Sequence, residues 1–166
     1  RQQEVPITAI IGNPPYSKIK STANDFTSIQ NYPKLDDSIK NTYAKETDAT
    51  LKNSLQDSYI RALRWSTDRL AENGVIGFIT NNGYIDSPSL NGVRRVLHQE
   101  FNYIYVIDLK GAVRGLSPEA VKRQGKNIFD IMTGVAIVLL IKDGSNIHAI
   151  RYHDIGDNQS KNEKLD

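Results

Sequence analysis

The chain has no cysteine among its 166 residues, which excludes disulfides and cysteine-held zinc sites. It has no apolar run long enough to span a membrane; the longest, "TGVAIVLLIK", suits a buried strand. Neither sign of charge dominates, and a net charge of +2 does not by itself establish a nucleic-acid partner. No signal peptide is visible and the first residue is not methionine, so the chain is expected to be an excised or truncated piece of an intracellular, cytoplasmic protein. Internal repeats and low-complexity segments are lacking. So is a GxxxxGK[ST] phosphate loop, which removes nucleotide-driven helicase work from this segment. What is present is ordinary for a globular domain: 39% apolar and 24% charged residues. The length suffices for a real core, as one domain or as part of a larger one.

Periodicity supplies the organisation. "VPITAIIG" reads as a short buried strand. Ser17 to Thr50 is polar throughout and reads as a long loop with room for a short helix; a loop of that length is functional or mobile. Leu51, Leu55, Tyr59, Leu63 and Leu70 fall near helical spacing, with Ile60 and Ala62 widening the stripe. Asn73-Gly74 is expected to end that helix, with Gly74 as a left-handed cap. "VIGFIT" follows as a second strand, Ser89 to Glu100 as a second helix, and "YIYVIDL" as a third strand. "GVAIVLLIK" and "IHAIRYHDI" read as two more strands about the Asp143-Gly144 turn. The tail from Gly156 is polar and expected to fray. Strands alternating with helices predict a parallel α/β sheet, and the last two strands, joined without a helix, predict an antiparallel hairpin at one edge.

The segment with chemistry in it is "GNPPY", directly after the first strand. Ligands of parallel α/β sheets bind beyond the carboxyl ends of the strands. Pro14 and Pro15 fix φ and remove two backbone donors, so the segment is stiff. Asn13 offers a side-chain carbonyl acceptor and Tyr16 a flat face. Acceptors beside a stacking platform suit a planar group carrying an NH2: the ring stacks and both hydrogens are accepted. That pulls the nitrogen lone pair out of conjugation and makes it a better nucleophile. The plainer alternative is a proline-rich turn that closes a strand.

"GNPPY" resembles the motif of amino-group methyltransferases that use S-adenosylmethionine, chiefly N6-adenine DNA methyltransferases. "Asp57-Ser58-Tyr59-Ile60-Arg61-Ala62" is similar to the start of that family's next helix, and "AENGVIGFITNNGY" to its following turn, strand and Asn-containing end. The segments "IDLKGAVRG" and "NIFDIMTGVAIVLLIK" look closer still to type ISP enzymes, single-chain restriction–modification enzymes that fuse nuclease, helicase-like translocase, methyltransferase and target-recognition parts. The resemblance runs from Ile7 to about Lys142. It implies a partial Rossmann-like methyltransferase fold: residues 1–155 as its catalytic half, 156–166 as a polar tail. It implies that Asn13 and the Pro14 carbonyl hold an adenine amino group, that Tyr16 stacks on the flipped base beside Pro15, and that Phe129 takes the opposite face. It implies double-stranded DNA and the remainder of a multidomain chain as partners, and S-adenosylmethionine as cofactor. Two departures stand out. A helix position where the family often has an aromatic is Ala62, and nothing before Pro6 supplies the Gly-rich turn and carboxylate that bind the cofactor. The chain alone is therefore expected to be inactive, and to self-associate through the open edge of its first strand. A glutamine-N5 methyltransferase of proteins, whose substrate also presents a planar NH2, and a non-catalytic binding module are the alternatives.

Other candidates are plainer. Lys110, Arg114, Lys122, Arg123 and Lys126 crowd one stretch in which Glu119 is the only acid after Lys110; phosphate contact and a solvated loop are both open. Arg94 and Arg95 read as a solvated helix face, Trp65 and Tyr59 as packing residues. His98, His148 and His153 lack ligand spacing; His153 with Asp154 reads as an edge-strand surface rather than a metal site. Asp108-Leu109-Lys110 mimics the end of a nuclease motif but has no upstream acidic partner.

Overall fold

The computed structural model describes residues 5–16, 32–50 and 53–166. In chain order these form β1 (Ile7–Gly12), α1 (Pro33–Asn41), α2 (Ser58–Arg69), β2 (Leu70–Asn81), α3 (Asn91–Glu100), β3 (Tyr103–Lys110), α4 (Pro118–Gln124), β4 (Val135–Lys142) and β5 (Ala149–Asp154). Much of the presumed long loop thus carries α1. That helix opens on Pro33, with Asp36 in its first turn and Lys40 in its last, both favourable to the helix dipole. Its Ile39 and the following Tyr43 are buried. Residues 17–31, within the Ser17 to Thr50 stretch expected to be mobile, lie outside the described residues.

One mixed sheet has strand order β1-β2-β4-β3-β5. β1 runs parallel to β2 and β5 parallel to β3, while β4 is antiparallel to both β2 and β3. The antiparallel element is therefore central, and β4 and β5 form no hairpin. Two features explain this. "VAIVLLIK" is apolar on both faces, as a central strand requires. Asn102, just before β3, then redirects the chain: it accepts from the Asp143 N–H (2.9 Å) and donates to the Ser145 and Ile147 carbonyls (2.6 and 3.2 Å). The chain after β4 is thereby led past the start of β3 to its far edge, where Tyr103 pairs with Ala149.

The α2 boundary also differs from expectation. The chain passes straight from Arg69 into β2, and Leu70 is already extended (φ −69°, ψ 137°). Gly74 is a strand residue paired with Lys142. A Cβ there would lie 2.8 Å from both the Thr8 carbonyl and the Leu70 side chain, so glycine serves the close approach of β1.

The helices cover one face of the sheet. Tyr59, Ile60 and Leu63 of α2 and Val93, Val96 and Leu97 of α3 bury against Ile76, Phe78, Val138 and Leu140, with Phe101 among them. Each such side chain contributes about 1.5–3 kcal/mol of transfer free energy. Trp65, expected to pack, stands on the outer side of α2, half exposed. On the opposite face a smaller cluster, Leu109, Ile128 and Val135, is joined by Tyr16, Ile79 and Ile137. Further along that face Ile11, Leu139 and Tyr105 stand in register across the strands and are exposed.

The tail does not fray. The Asn158 N–H donates to the Arg123 carbonyl and the Lys126 N–H to the Gln159 carbonyl. Buried Lys164 donates to the carbonyls of Leu109 (2.7 Å) and Gln124 (2.9 Å). Burial pulls its ammonium below the ordinary lysine range. Among the described residues no helix is long and apolar enough to cross a membrane.

Candidate active site

The carboxyl ends of β1, β2 and β3 and the amino end of β4 share one edge of the sheet, because β4 alone runs the other way. At this edge β1 hands over to Asn13-Pro14-Pro15-Tyr16. Pro14 is buried, Asn13 and Pro15 are exposed, and Tyr16 is half-buried against the smaller apolar cluster. The Tyr16 hydroxyl donates to Asn13 Oδ1 at 2.7 Å. Burial pushes the Tyr16 phenol up to about 12, so it remains a neutral donor. An amide oxygen has two lone pairs, so one stays available to a ligand.

Beside this pair lies a cleft of about 480 Å³. Tyr16 forms one wall; Asp57 and Tyr59 come from the start of α2, Asn81 to Gly83 from the end of β2, Arg114 from the loop after β3, and Met132 to Gly134 from the run into β4. Local geometry explains the polar groups. Asn81 caps the turn after β2 by accepting from the Gly83 N–H (2.7 Å). Asn82 donates to Asp108 Oδ1 (3.0 Å), tying the ends of β2 and β3 together. Gly134 is required because a Cβ there would collide with the Asn82 side chain. Arg94, expected on a solvated face, instead donates to the carbonyls of Tyr84 (2.8 Å) and Ser87 (2.9 Å), bracing the turn that lines the cleft.

The residues singled out in the sequence are distributed unevenly around this cleft. Tyr16 and Arg114 line it, and Asn13 is joined to it through Tyr16. Phe129 is exposed in the loop before β4, its N–H held by Asn127 Oδ1; Met132, three residues on, lines the cleft. Lys110 is held by Asp154 (2.9 Å) and Asp157 (2.6 Å). Lys122, Arg123 and Lys126 are exposed, at the last turn of α4 and just beyond it. Arg95 pairs with Asp48 at the surface. His148 Nδ1 lies 3.0 Å from the carbonyls of His98 and Phe101, and His153 and Asp154 are on the edge strand β5. Among the described residues no cluster of three or more His, Asp or Glu could hold a metal ion. Asn81 and Asn82 lie in the Asn-containing end of "AENGVIGFITNNGY", and Met132 and Gly134 in "NIFDIMTGVAIVLLIK", segments that carry the family resemblance but to which no site role was attached.

The model of the Eco57I restriction-modification methylase family matches residues 5–114. Three solved structures are similar over 99% of this chain. One is an ATP-dependent Type ISP restriction-modification enzyme, LlaBIII, bound to DNA (50% identity, TM-score 0.94). Another is a nuclease-deletion mutant of the Type ISP enzyme LlaGI in complex with a DNA substrate mimic (46%, 0.94). The third is a DrdV–DNA complex (38%, 0.90). The chain spans 11% of the first of these and 16% of each of the other two. No curated protein sequence matches it.

Proposed function

The chain belongs to the Eco57I restriction-modification methylase family, and from that premise we propose that its cleft receives an adenine extruded from DNA and holds the 6-amino group for methylation by S-adenosylmethionine. The observation that carries this reading is the Asn13–Tyr16 pair at the end of β1 and beside the cleft, an acceptor and a stacking residue joined by the 2.7 Å bond from the Tyr16 hydroxyl to Asn13 Oδ1.

The residues divide the work. Tyr16 presents its ring to the base, a contact worth on the order of 1–3 kcal/mol. Asn13 Oδ1 and the Pro14 carbonyl each accept one amino hydrogen. The adenine nitrogen lone pair then turns out of conjugation with the ring and becomes the nucleophile. The turn at Asn81–Gly83, capped by the Asn81 side chain, and the following stretch, held by Arg94 through the Tyr84 and Ser87 carbonyls, keep the far wall in place. Catalysis on this reading is positioning rather than acid–base chemistry. Extrusion is required because N6 is inaccessible in a stacked, paired duplex.

S-adenosylmethionine, when bound, supplies a methyl group already activated on a sulfonium, so the leaving group needs no proton. The residues present fit the substrate side of that cofactor: an acceptor, a stacking ring, and the carboxylate and amides of Asp57, Asn81 and Asn82 in the cleft lining. The Gly-rich turn that would hold its nucleoside is not among the described residues. We assign it to the remainder of a longer enzyme, of which this domain is a part. Among the described residues β1 pairs with β2 alone, and in that enzyme its other edge is where the remainder of the sheet would join. In the isolated domain the same edge favours self-association.

The test is product analysis with the full-length enzyme. Duplex DNA and glutamine-containing peptides are offered with labelled S-adenosylmethionine, and the DNA is digested to nucleosides. Label in N6-methyldeoxyadenosine is expected. Label in methylcytosine, or in peptide glutamine alone, overturns the reading.

A further inference from the structure

The turn between β3 and α4 has no part in the reading above, yet it forms a rim of the cleft. The Val113 and Arg114 N–H groups both donate to the Met132 carbonyl (3.0 and 3.3 Å), and the Leu116 N–H to the Val113 carbonyl (3.4 Å). That last bond closes a four-residue turn with Gly115 at φ +78°, the position at which a type II turn demands glycine. A Cβ on Gly115 would meet nothing within 4 Å, so the tip projects freely. Val113, Leu116 and Met132 are 36%, 40% and 57% exposed. Singly each would need no explanation. Val113 and Leu116 flank Arg114, which lines the cleft, and Val113 is bonded to Met132, which lines it too, so together they give the turn next to the cleft an apolar surface.

Cations outnumber acids in the stretch that carries this turn. From Gly111 to Lys126 there are four cations, Arg114, Lys122, Arg123 and Lys126, and one acid, Glu119. Among the described residues no salt bridge engages Arg114, Lys122 or Arg123, whereas Lys110, just before them, is neutralised by two carboxylates. An apolar edge flanked by unpaired cations is complementary to a base stack flanked by phosphates.

We propose that the Val113–Leu116 turn is a wedge that enters duplex DNA at the place an extruded base vacates, an inference that rests on the base-receiving role of the cleft. Val113 and Leu116 lie against the neighbouring bases, and Arg114, which lines the cleft, contacts the backbone phosphate of the extruded nucleotide. Extrusion costs the stacking and pairing of the target. An apolar side chain in the gap restores contact to the bases left behind. The staple to Met132, itself a cleft residue, keeps the wedge at a fixed distance from the cleft, so one docking event satisfies both.

The test uses the full-length enzyme carrying Val113→Ser together with Leu116→Ser, which leaves Gly115 and the main-chain staple in place. The probe is a target-site duplex with 2-aminopurine at the methylated position, whose fluorescence rises on unstacking; methylation is followed on the adenine duplex. The variant is expected to lose roughly tenfold or more in both readouts on the paired duplex. It is expected to return to within about twofold of wild type when the target faces an abasic site, where little pairing remains to be broken. An unchanged signal on the paired duplex overturns the wedge. So does an equal loss on both duplexes, which would give the turn to folding, to general DNA affinity or to contact with another part of the enzyme. A wild-type enzyme that shows no 2-aminopurine signal fails for a different reason, because it removes base extrusion itself.

Discussion

The helix-covered face of the sheet and the rim of the cleft handle charge in opposite ways. Among the described residues, the two buried guanidiniums under the helices, Arg61 and Arg64, each meet a carboxylate. Arg64 reaches Asp68 (2.7 Å) and Glu100 (3.0 Å) with its side chain 3% exposed, and lies over the Tyr43 ring. Arg61 reaches Asp36 and Gln56, both at 2.7 Å. At the rim, Asn13 keeps a lone pair free for a ligand and Arg114 stands without a salt bridge among the described residues. A buried charge without a partner is costly, so a cation without a carboxylate is tolerated at the water-exposed edge. The difference separates residues that hold the fold from the residues to which the proposed function gives a partner.

Substitutions can break or sharpen that division. The largest effect is expected from Phe101→Ala in the core, a loss of roughly 3–5 kcal/mol of stability with turnover per folded molecule unchanged. Denaturant unfolding beside an active-site titration measures both, and a near-native midpoint would undo the assignment of Phe101 to the core. Asn13→Ala is the mirror image. It should raise the methyl-transfer barrier by roughly 2–4 kcal/mol and leave the unfolding midpoint where it was. Near-normal turnover would return "GNPPY" to a structural turn. Gly92→Ala in α3 comes next, because a Cβ there would collide with the Tyr43 carbonyl and the Thr47 hydroxyl. Roughly 1–3 kcal/mol of stability should go, read by thermal denaturation, and no change would mean that α3 can shift freely against residues 43–47. The smallest effect belongs to Tyr16→Phe. The ring stays while the bond to Asn13 is lost, worth roughly 0.5–1.5 kcal/mol. If it proved as damaging in single-turnover rate as Asn13→Ala, the hydroxyl rather than the ring would be what the site needs.

Local chemistry was legible in the sequence wherever it is decided locally. The apolar runs located β1, β3 and β4, and the proline pair after β1 marked the stiff end that carries Asn13 and Tyr16. Decisions made across the sheet were not legible. β4 pairs with both β2 and β3, and Asn102 then catches the loop after β4, some forty residues later in the chain, and leads it to β5 at the far edge of β3, as its bonds to Asp143 and Ser145 show. Gly74 resembled a helix cap because Asn-Gly commonly ends helices, yet its neighbour Thr8 belongs to another strand. Lys110 had the composition of a phosphate contact, but Asp154 and Asp157 reach it from the far end of the chain. The polar tail had no apolar anchor to reveal its docking, since Lys164 is held by two carbonyls. At the cleft, Asn82 and Gly134 become neighbours only once β2 and β4 have paired.

The central position of β4 has a consequence for synthesis. On the ribosome β2 and β3 emerge first, and neither can pair with the other, since the slot between them belongs to a strand not yet made. Until Lys142 is out, both present open edges, which is the situation that slows non-local folding and invites aggregation. A chain stopped before Val135 should therefore accumulate as insoluble material, and a soluble, folded product of residues 1–134 would contradict this. In a long enzyme made from one message, this domain is a late-closing step whose completion depends on uninterrupted translation or on a chaperone that shields two edges at once.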